Sequence, residues 1–350
     1  MDALISPRRR SIVTGLASAS LLAACGERSS LHAAPAVEFR GPAMGSAYTL
    51  KIAGATPVAP AAAHEAVHDA LQAIERLMST YRADSELSQL NRAPAGMSFA
   101  LSPDTYAVLA LAAQIARDTD GAFDVTVAPL VDAWGFGPSR DRRIVAEDER
   151  RALLARVGPG RLALDPDRRA AAKARADVAA DLSAIAKGYG VDHAARALDA
   201  LGVANYMVEA GGEVRTRGRN ADGAPWQIAI EAPDAMPQRP WVVVPLSDRS
   251  LATSGDYRIY FEQDGRRYCH EIDPGAGRPI DHGLASVSVI ATDCARADAL
   301  ATALMVMGET RGAAFAAERG IAAYFIARDG PQLRARATPA FAALGGRRVA

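Results

Sequence analysis

The chain has 350 residues with 40 basic and 40 acidic side chains, so its formal net charge is zero. A balanced charge gives no reason to expect nucleic acid as a partner. The length exceeds that of one typical domain and allows a large core. After residue 25 there is no run of about 18 apolar residues, so the sequence predicts no membrane-spanning helix in the mature chain.

The first 24 residues have the pattern of an export signal of the bacterial lipoprotein type. Three arginines at 8–10 precede an apolar run at 12–24, and Cys25 follows the sequence LAA. We expect residues 1–24 to be removed, Cys25 to carry a lipid that anchors the chain to a membrane, and residues 25–37 to form a flexible tether. The expected location is the periplasmic side of the bacterial cell envelope, reached by Sec or twin-arginine export. The mature chain would have 37 basic and 39 acidic side chains, a net charge of −2.

The rest of the chain is predicted to mix helices and strands. A glycine turn within 39–52 leads into an alternating strand. Apolar residues at helical spacing predict the helices, and alternation or β-branched content predicts the strands. The predicted helices cover 61–80, 103–118, 146–156, 181–201, 297–308 and 311–318, and the predicted strands cover 176–181, 206–214, 226–230, 241–246, 284–291 and 321–327. Because the elements lack regular βαβ alternation, they indicate an α+β or sandwiched α/β fold.

Other segments are predicted to be turns, loops or a tail. Residues 120–137 are too rich in glycine and aromatic residues for a regular element. A hairpin is predicted at 161–180, with its turn at 165–167, and a tight turn before a strand at 251–262. Residues 339–350 are predicted to form a C-terminal tail.

Residues 181–192, DLSAIAKGYGVD, are a candidate phosphate site. Two glycines in the first turns of a helix cost about 1 kcal/mol each relative to alanine, which indicates that something approaches the backbone there. Asp181 precedes the helix, Ser183 could cap it, and Lys187 is the nearby cation. Exposed helix N–H groups, an ammonium and open glycines together indicate phosphate binding. A helix packed tightly on a strand with a surface lysine would have the same pattern, so both interpretations stay open.

A carboxylate and a hydroxyl share one face of the predicted helix 297–308. Asp298 and Thr302 are four residues apart, and such an oxygen pair suits Mg²⁺. The alternative is that Asp298 interacts with the helix dipole while Thr302 bonds back to the carbonyl of residue 298.

Polar turns carry further candidates. His270 precedes the turn EIDPGAGRP, where it could act as a general base, hold a diphosphate or simply make a turn hydrogen bond. Cys269 and Cys294 are interpreted as buried thiols. Five apolar residues beside turns could stack a planar ring or pack in the core, namely Met44, Tyr48, Tyr81, Phe123 and Trp134. No GxGxxG, Walker, GxSxG or HExxH motif occurs, which argues against Rossmann dehydrogenases, P-loop enzymes, α/β-hydrolases and zincins.

Eight stretches of the sequence, in order, resemble those of the ApbE-type flavin transferase family. They cover about residues 40–310 and are PAMGSAY, STYRADSELSQLN, GAFDVTVAPLVDAWGFG, DLSAIAKGYGVD, EAGGEV, LATSGDY, HEIDPGAGRP and ADALATALMVMG. The resemblance implies an ApbE-like mixed α/β fold over 38–338, with sandwiched sheets and helices in two interleaved lobes. The chain departs from the family in having Ala276 in place of a threonine, and in Cys269 and Glu271 beside His270.

The resemblance also implies a reaction. This is the Mg²⁺-dependent transfer of FMN from FAD to a threonine hydroxyl of a client flavoprotein, such as a membrane redox-complex subunit, with release of AMP. Tyr81 matters for the outcome, because members with tyrosine there resemble transferases, whereas members with asparagine resemble FAD hydrolases. The alternatives are a Mg²⁺-dependent FAD diphosphatase that gives FMN and AMP, and a non-catalytic flavin-binding lipoprotein.

By position, the resemblance assigns roles to particular residues. His270 takes the position of the family's histidine before the DP turn, as a base or as a group that orients the phosphate. Our own mechanistic hypothesis is that Asp181 or His270, together with the metal, acts as the base for the acceptor hydroxyl. The metal ligands would be Asp298, Thr302 and the backbone carbonyl of Ala184. The flavin contacts would be Met44, Tyr81, Ala122, Phe123, Asp124, Asp181, Lys187 and Ile272.

Overall fold

Eight antiparallel strands form the central sheet of the computed structural model, which describes residues 36–349. The predicted signal peptide at 1–24, the lipidated Cys25 and all but the end of the tether at 25–37 lie outside the described residues. The described chain belongs to one compact unit. Its combination of helices with antiparallel sheets confirms the predicted α+β class.

The elements are numbered in chain order. The strands are β1 (Val37–Ala43), β2 (Ser46–Ile52), β3 (Phe99–Ala100), β4 (Leu162–Asp165), β5 (Ala170–Lys173), β6 (Tyr206–Ala210), β7 (Glu213–Arg217), β8 (Trp226–Glu231), β9 (Pro240–Leu246), β10 (Ser250–Gly255), β11 (Tyr260–Gln263), β12 (Arg266–Cys269), β13 (Ile272–Asp273), β14 (Arg278–Pro279), β15 (Leu284–Ala291), β16 (Ala322–Asp329), β17 (Gln332–Ala337) and β18 (Arg347–Arg348). The helices are α1 (Pro60–Met78), α2 (Glu86–Arg92), α3 (Pro103–Asp118), α4 (Ala128–Ala133), α5 (Glu147–Leu154), α6 (Ala186–Ala200), α7 (Cys294–Glu318) and α8 (Pro339–Ala342), with a 3-10 turn at Val125–Val127.

The central sheet consists of two four-stranded halves that meet at a short seam. The strand order β1-β2-β6-β7-β10-β15-β16-β17 places residues 37–217 in one half and residues 250–337 in the other. At the seam, β7 and β10 share two residue pairs, whereas β10 and β15 share six. The two interleaved lobes implied by the resemblance stay a prediction, because each half of the sheet comes from one continuous part of the chain.

Helices cover one face of the central sheet, and a smaller sheet of β18, β9 and β8 covers the other. Consecutive residues of β10 face opposite sides of the central sheet. Ala252 packs in the core with α7, and Leu251 packs in the core with β8 and β9. Strand β15 is buried at every position except its last. A strand covered on both faces is expected to be apolar throughout, which explains why the run LASVSVIA predicted it correctly.

Helices α6 and α7 hold each other by hydrogen bonds in both directions. The N–H of Gly188 in α6 donates to Asp298 Oδ2 of α7 at 3.0 Å. In return, the carboxylate of Asp192 in α6 accepts from the N–H groups of Cys294 and Ala295 at 3.0 Å each. A Cβ on Gly188 would lie 2.4 Å from the carbonyl oxygen of Cys294. The glycine therefore permits the close approach that fixes Asp298 beside the start of α6.

The second strand of the 161–180 hairpin is β5, so the predicted strand at 176–181 is wrong. The side chain of Asn91 accepts from the N–H of Ala180 and donates to its carbonyl, both at 2.8 Å. A side-chain amide thus replaces a neighbouring strand there, and the alternation of buried Val178 and Ala180 arises without a sheet.

Three other segments are more regular than predicted. Residues 250–255 form the central strand β10 rather than a turn, and helix α4 lies within the predicted loop 120–137. Residues 339–350, predicted as a tail, include α8 and β18, and Phe341 is buried against the smaller sheet. Gly308, with φ of 75°, interrupts α7 between the two helices predicted at 297–308 and 311–318.

Within residues 36–349, no helix is long and apolar enough to cross a membrane. Cys269 and Cys294 are buried free thiols, as predicted. Burial raises the pKa of Cys269 to about 12, so this thiol stays protonated.

Candidate active site

A cavity of about 1090 Å³ opens beside the seam, where Val214 of β7 and Ser254 of β10 both line it. Every residue that the sequence assigned to the site lines this one cavity. They are Met44, Tyr81, Ala122, Phe123, Asp124, Asp181, Ala184, Lys187, His270, Ile272, Asp298 and Thr302. Since they come from segments up to about 258 positions apart in the sequence, their convergence is a property of the fold. The role of each residue stays a prediction.

Met44 reaches the cavity from the tight turn between β1 and β2. Met44 and Gly45 have φ of 51° and 73°, the pair of positive values typical of a two-residue hairpin turn. The N–H of Met44 donates to Glu75 Oε2 at 2.8 Å, which stabilises this conformation in a residue with a side chain. A Cβ on Gly190 would lie 2.8 Å from the sulfur of Met44, so that glycine makes room for Met44.

Tyr81 stands at the cavity mouth, with 56 % of its surface exposed. Its hydroxyl donates to the carbonyl of Phe136 at 3.1 Å. Desolvation of the hydroxyl and the charge of Asp181 raise the pKa of Tyr81 above its usual value of 10. The hydroxyl therefore remains a hydrogen-bond donor at neutral pH, and it ties the end of α1 to the loop after α4.

The start of α6 differs from the phosphate site predicted from the sequence. Ser183 does not cap the helix, whose N-cap is Ile185. The N–H of Ser183 donates instead to Asp181 Oδ1 at 2.7 Å. The N–H groups of Ile185 and Gly188 also donate to protein acceptors. The two glycines serve close packing, which was the alternative interpretation, although the partners are α7 and Met44 rather than a strand. The ammonium of Lys187 lines the cavity, and phosphate binding at this helix start stays a prediction.

Three buried carboxyl groups surround the ammonium group of Lys187 and form an acidic cluster with it. They belong to Glu213, Glu271 and Asp298. Lys187 Nζ lies 2.6 Å from Glu213 Oε1, and the three carboxyl groups are almost inaccessible to solvent. Burial raises the pKa of Glu271 to about 8 and also raises that of Asp298. Burial alone would lower the pKa of Lys187, but its carboxyl neighbours outweigh that effect and raise it. The cluster therefore favours an added positive charge, in the form of protons or a cation.

The donors in the cluster fit a hard divalent cation. Oε2 of Glu213 is buried without a hydrogen-bond partner among the described residues, and within them Asp298 has no cationic side chain within 4 Å. Thr302 Oγ1 lies 2.9 Å from Ser254 Oγ rather than bonding back to carbonyl 298. Among residues 36–349 there is no group of three or more histidine, cysteine or acidic side chains placed to hold a metal. Mg²⁺ often takes few protein ligands and keeps water or phosphate oxygens, so Mg²⁺ at this site stays a prediction.

His270 faces the same cavity from the segment before β13. The contacts distinguish its two ring nitrogens. Nδ1 lies 3.3 Å from the carbonyl oxygen of Ile259, which can only accept a hydrogen bond. This contact places the ring proton on Nδ1 and leaves the lone pair on Nε2, which lies 3.8 Å from Glu271 Oε1. Desolvation and the charge of Lys187 lower the pKa of His270 to about 4. The ring is therefore neutral at neutral pH and can accept a proton, although the lowered pKa also makes it a weaker base.

Two of the five ring-stacking candidates lie outside the cavity lining. Tyr48 is fully buried and bonds to His64 Nε2 at 2.7 Å. Trp134 donates from Nε1 to the carbonyl of Gly277 at 3.1 Å and stacks on Tyr268. Both therefore follow the core-packing alternative.

We expect the free energy of unfolding without divalent ions to fall as the pH rises from about 5 to about 8. Glu271 keeps its proton in the folded chain up to a pKa of about 8, whereas the ordinary value is 4.5. In this window the folded state binds more protons than the unfolded state, so rising pH favours unfolding, by an amount on the order of a few kcal/mol. Burial raises the pKa of Glu213 to about 8 as well, so Glu271→Gln should reduce this dependence without removing it, and Glu262→Gln, at an exposed site on β11, should leave it unchanged. Thermal unfolding followed by circular dichroism measures both, and equal pH dependence in the two variants would contradict the assignment.

Comparison with known proteins adds an independent line of evidence. The model of the ApbE family matches residues 44–325. An FAD:protein FMN transferase of Vibrio cholerae is 42 % identical over 334 residues, which cover 95 % of this chain and 98 % of the relative. One of Haemophilus influenzae is 39 % identical over 336 residues, covering 94 % and 96 %.

Solved structures agree with these sequence matches. The apo form of the Pseudomonas stutzeri flavinyl transferase ApbE superimposes with a TM-score of 0.81 at 42 % identity, covering 90 % of this chain and 98 % of that one. The ApbE protein of Thermotoga maritima gives the same TM-score at 29 % identity, covering 88 % and 99 %.

Proposed function

The chain belongs to the ApbE family and is an FAD:protein FMN transferase, and from this premise we propose that the transfer needs Mg²⁺ and ends on a threonine hydroxyl of a client flavoprotein. AMP is the other product, because FMN transfer cleaves the diphosphate of FAD between its two phosphorus atoms. The observation that carries the proposal is the cavity in which all the assigned residues meet a buried excess of carboxyl groups.

The residues present fit a magnesium site. Asp298, Thr302 and the carbonyl of Ala184 would hold the ion, which would supply positive charge to the diphosphate oxygens. The N–H of Gly188 donates to Asp298, and this hydrogen bond would orient the carboxylate for the ion. Lys187 would add a second positive charge from α6, held in place by Glu213 at 2.6 Å.

The acceptor hydroxyl needs a base because its pKa is far above neutral. His270 fits the role, since its neutral ring has a free lone pair on Nε2 within the cavity. Asp181 is the other candidate, but its Oδ1 already accepts from the N–H of Ser183. We therefore assign proton removal to His270 and positioning of the loop before α6 to Asp181.

Transfer to a candidate client tests both parts of the proposal. The mature chain would be incubated with FAD and a membrane redox-complex subunit, with either Mg²⁺ or EDTA, and the client analysed by tandem mass spectrometry. We expect FMN on a threonine, equal amounts of AMP, and no adduct in EDTA. An adduct on another residue type would reject the threonine, and full transfer in EDTA would reject the ion. Free FMN without adduct would indicate an FAD diphosphatase, and intact FAD a flavin-binding lipoprotein.

We also propose that the chain is lipid-anchored at Cys25 on the periplasmic side of the cell envelope. The support is the N-terminal sequence, with its basic residues, apolar run and LAAC. Cys25→Ser should move the protein from the membrane fraction to the soluble periplasmic fraction, and an unchanged distribution would reject the anchor.

A further inference from the structure

We propose that a basic and apolar rim at the cavity mouth docks an acidic segment of the client protein beside its acceptor threonine. The rim consists of Tyr81, Arg140 and Ile259, which line the cavity, and of Arg142, which lies beside the cavity over the ring of Phe136. The inference rests on the proposed function, in which a protein must bring a hydroxyl group to the cavity. The polypeptide around that hydroxyl has to contact the mouth.

The loop that carries both arginines has a defined shape. Asp132 accepts from the N–H of Ser139 at 2.8 Å, and its carbonyl accepts from the Ser139 hydroxyl at 3.0 Å. Gly135 has φ of 78°, and a Cβ there would lie 2.4 Å from the backbone nitrogen of Arg142. The loop therefore folds back tightly on its own backbone. It presents its arginines from a fixed base, which reduces the entropy lost when a partner binds.

Among the residues that the structure describes, the two guanidinium groups of the rim have no acidic partner. Arg140 lies over the ring of Tyr81 at 5.7 Å, and Arg142 lies over the ring of Phe136 at 5.9 Å. Arg142 also donates to the carbonyl of Tyr260. Within residues 36–349, neither arginine has a carboxylate within 4 Å, whereas nearby arginines do. Those paired arginines are Arg143, Arg258, Arg266 and Arg267.

Unpaired arginines held over aromatic rings match the carboxylates of a protein partner. A guanidinium group offers a planar fork of N–H donors to a carboxylate, and its contact with an aromatic ring does not use these donors. Arg142 uses one of them for the carbonyl of Tyr260 and keeps the others. Arg140 lines the mouth of the cavity, and residues 140 and 142 are exposed. The acidic cluster, by contrast, is buried. The position of the rim therefore favours the client over the diphosphate of FAD.

Exposed apolar side chains beside the arginines favour a polypeptide rather than a small anion. Tyr81 is 56 % exposed and Ile259 is 46 % exposed, and both line the cavity. Tyrosine and arginine are enriched where proteins bind each other, because they combine contact area with hydrogen bonding. The matching segment has carboxylates for the arginines and apolar residues for Tyr81 and Ile259.

Charge reversal tests the rim. Arg140→Glu/Arg142→Glu is compared with Arg336→Glu/Arg347→Glu, which changes two exposed arginines outside the cavity lining. The probes are two fluorescent peptides with one threonine between leucines, flanked in one by glutamates and in the other by lysines. Anisotropy is measured on the FAD-loaded mature protein. We expect wild type and the control variant to prefer the acidic peptide by about tenfold or more, and the rim variant to reverse the preference.

The outcomes separate docking from chemistry. Equal binding of the two peptides to wild type, or an unchanged preference in the rim variant, would overturn the proposal. A loss of FAD affinity in the rim variant, measured by flavin fluorescence, would assign the arginines to FAD and overturn it as well. If wild type prefers the acidic peptide but gives no threonine adduct on any client, the docking inference stands and the proposed acceptor fails.

Discussion

Asp298→Ala is expected to abolish FMN transfer while weak FAD binding remains. The substitution removes a buried carboxylate that would hold the magnesium ion and that accepts the N–H of Gly188 at 3.0 Å. Loss of one electrostatic group of this kind typically slows catalysis by about a hundredfold to a thousandfold, and loss of the ion as well should bring the rate to background. Steady-state transfer and flavin fluorescence titration measure the two effects.

A second readout separates the metal from the fold. In wild type, Mg²⁺ should raise the thermal unfolding temperature, because an ion that binds only the folded state stabilises it. Asp298→Ala should lose this shift, whereas Asp293→Ala, which changes an exposed carboxylate at the start of the same helix, should keep both the shift and the activity. Transfer by Asp298→Ala at wild-type rate in low Mg²⁺ would show that the ion is held elsewhere.

Gly188→Ala is expected to lower both the stability and the transfer rate. Alanine favours the helix by about 1 kcal/mol, but its Cβ would lie 2.4 Å from the carbonyl oxygen of Cys294 and 2.7 Å from the carbonyl carbon. Backbone atoms cannot rotate away, so α6 and α7 must separate, at a typical cost of about 1–3 kcal/mol or more. The separation also lengthens the hydrogen bond to Asp298.

Gly190→Ala is the matched control in the same helix. Its Cβ would meet the sulfur of Met44 at 2.8 Å, and a methionine side chain can move. We expect the unfolding temperature to change little in Gly190→Ala and to fall by several degrees in Gly188→Ala. A Gly188→Ala protein as stable and active as wild type would mean that the two helices do not pack as described.

The sequence predicted elements best where local pattern and burial agree. Helix α3 and strand β15 have the predicted bounds. In α3, apolar residues at helical spacing follow a serine cap, and in β15 a continuous apolar run fills the strand. Strand β10 was missed, since its small residues have little intrinsic preference for strands and its conformation is set by pairing with β15. The reverse error at 176–181 arose because Asn91, far away in sequence, supplies the hydrogen bonds.

The site residues could be collected from the sequence, but the environment of each one could not. Glu213 lies in the quoted stretch EAGGEV and Glu271 follows His270, yet no spacing indicates that both reach Lys187. Only the fold brings these carboxyl groups together with Lys187. Together they form an excess of buried negative charge that a cation would neutralise. For the same reason, the sequence leaves open whether the helical glycines admit phosphate or permit close helix packing.

The short seam between β7 and β10 has a dynamic consequence. Lys187 and Glu213 belong to the side built from the earlier part of the chain, and Asp298 and Thr302 to the side built from the later part. Two residue pairs join the halves at the sheet, so relative motion of the halves is opposed both there and by the hydrogen bonds between α6 and α7. A ligand that contacts both sets of side chains would restrict this motion further, and binding of the substrate should therefore stabilise the folded protein.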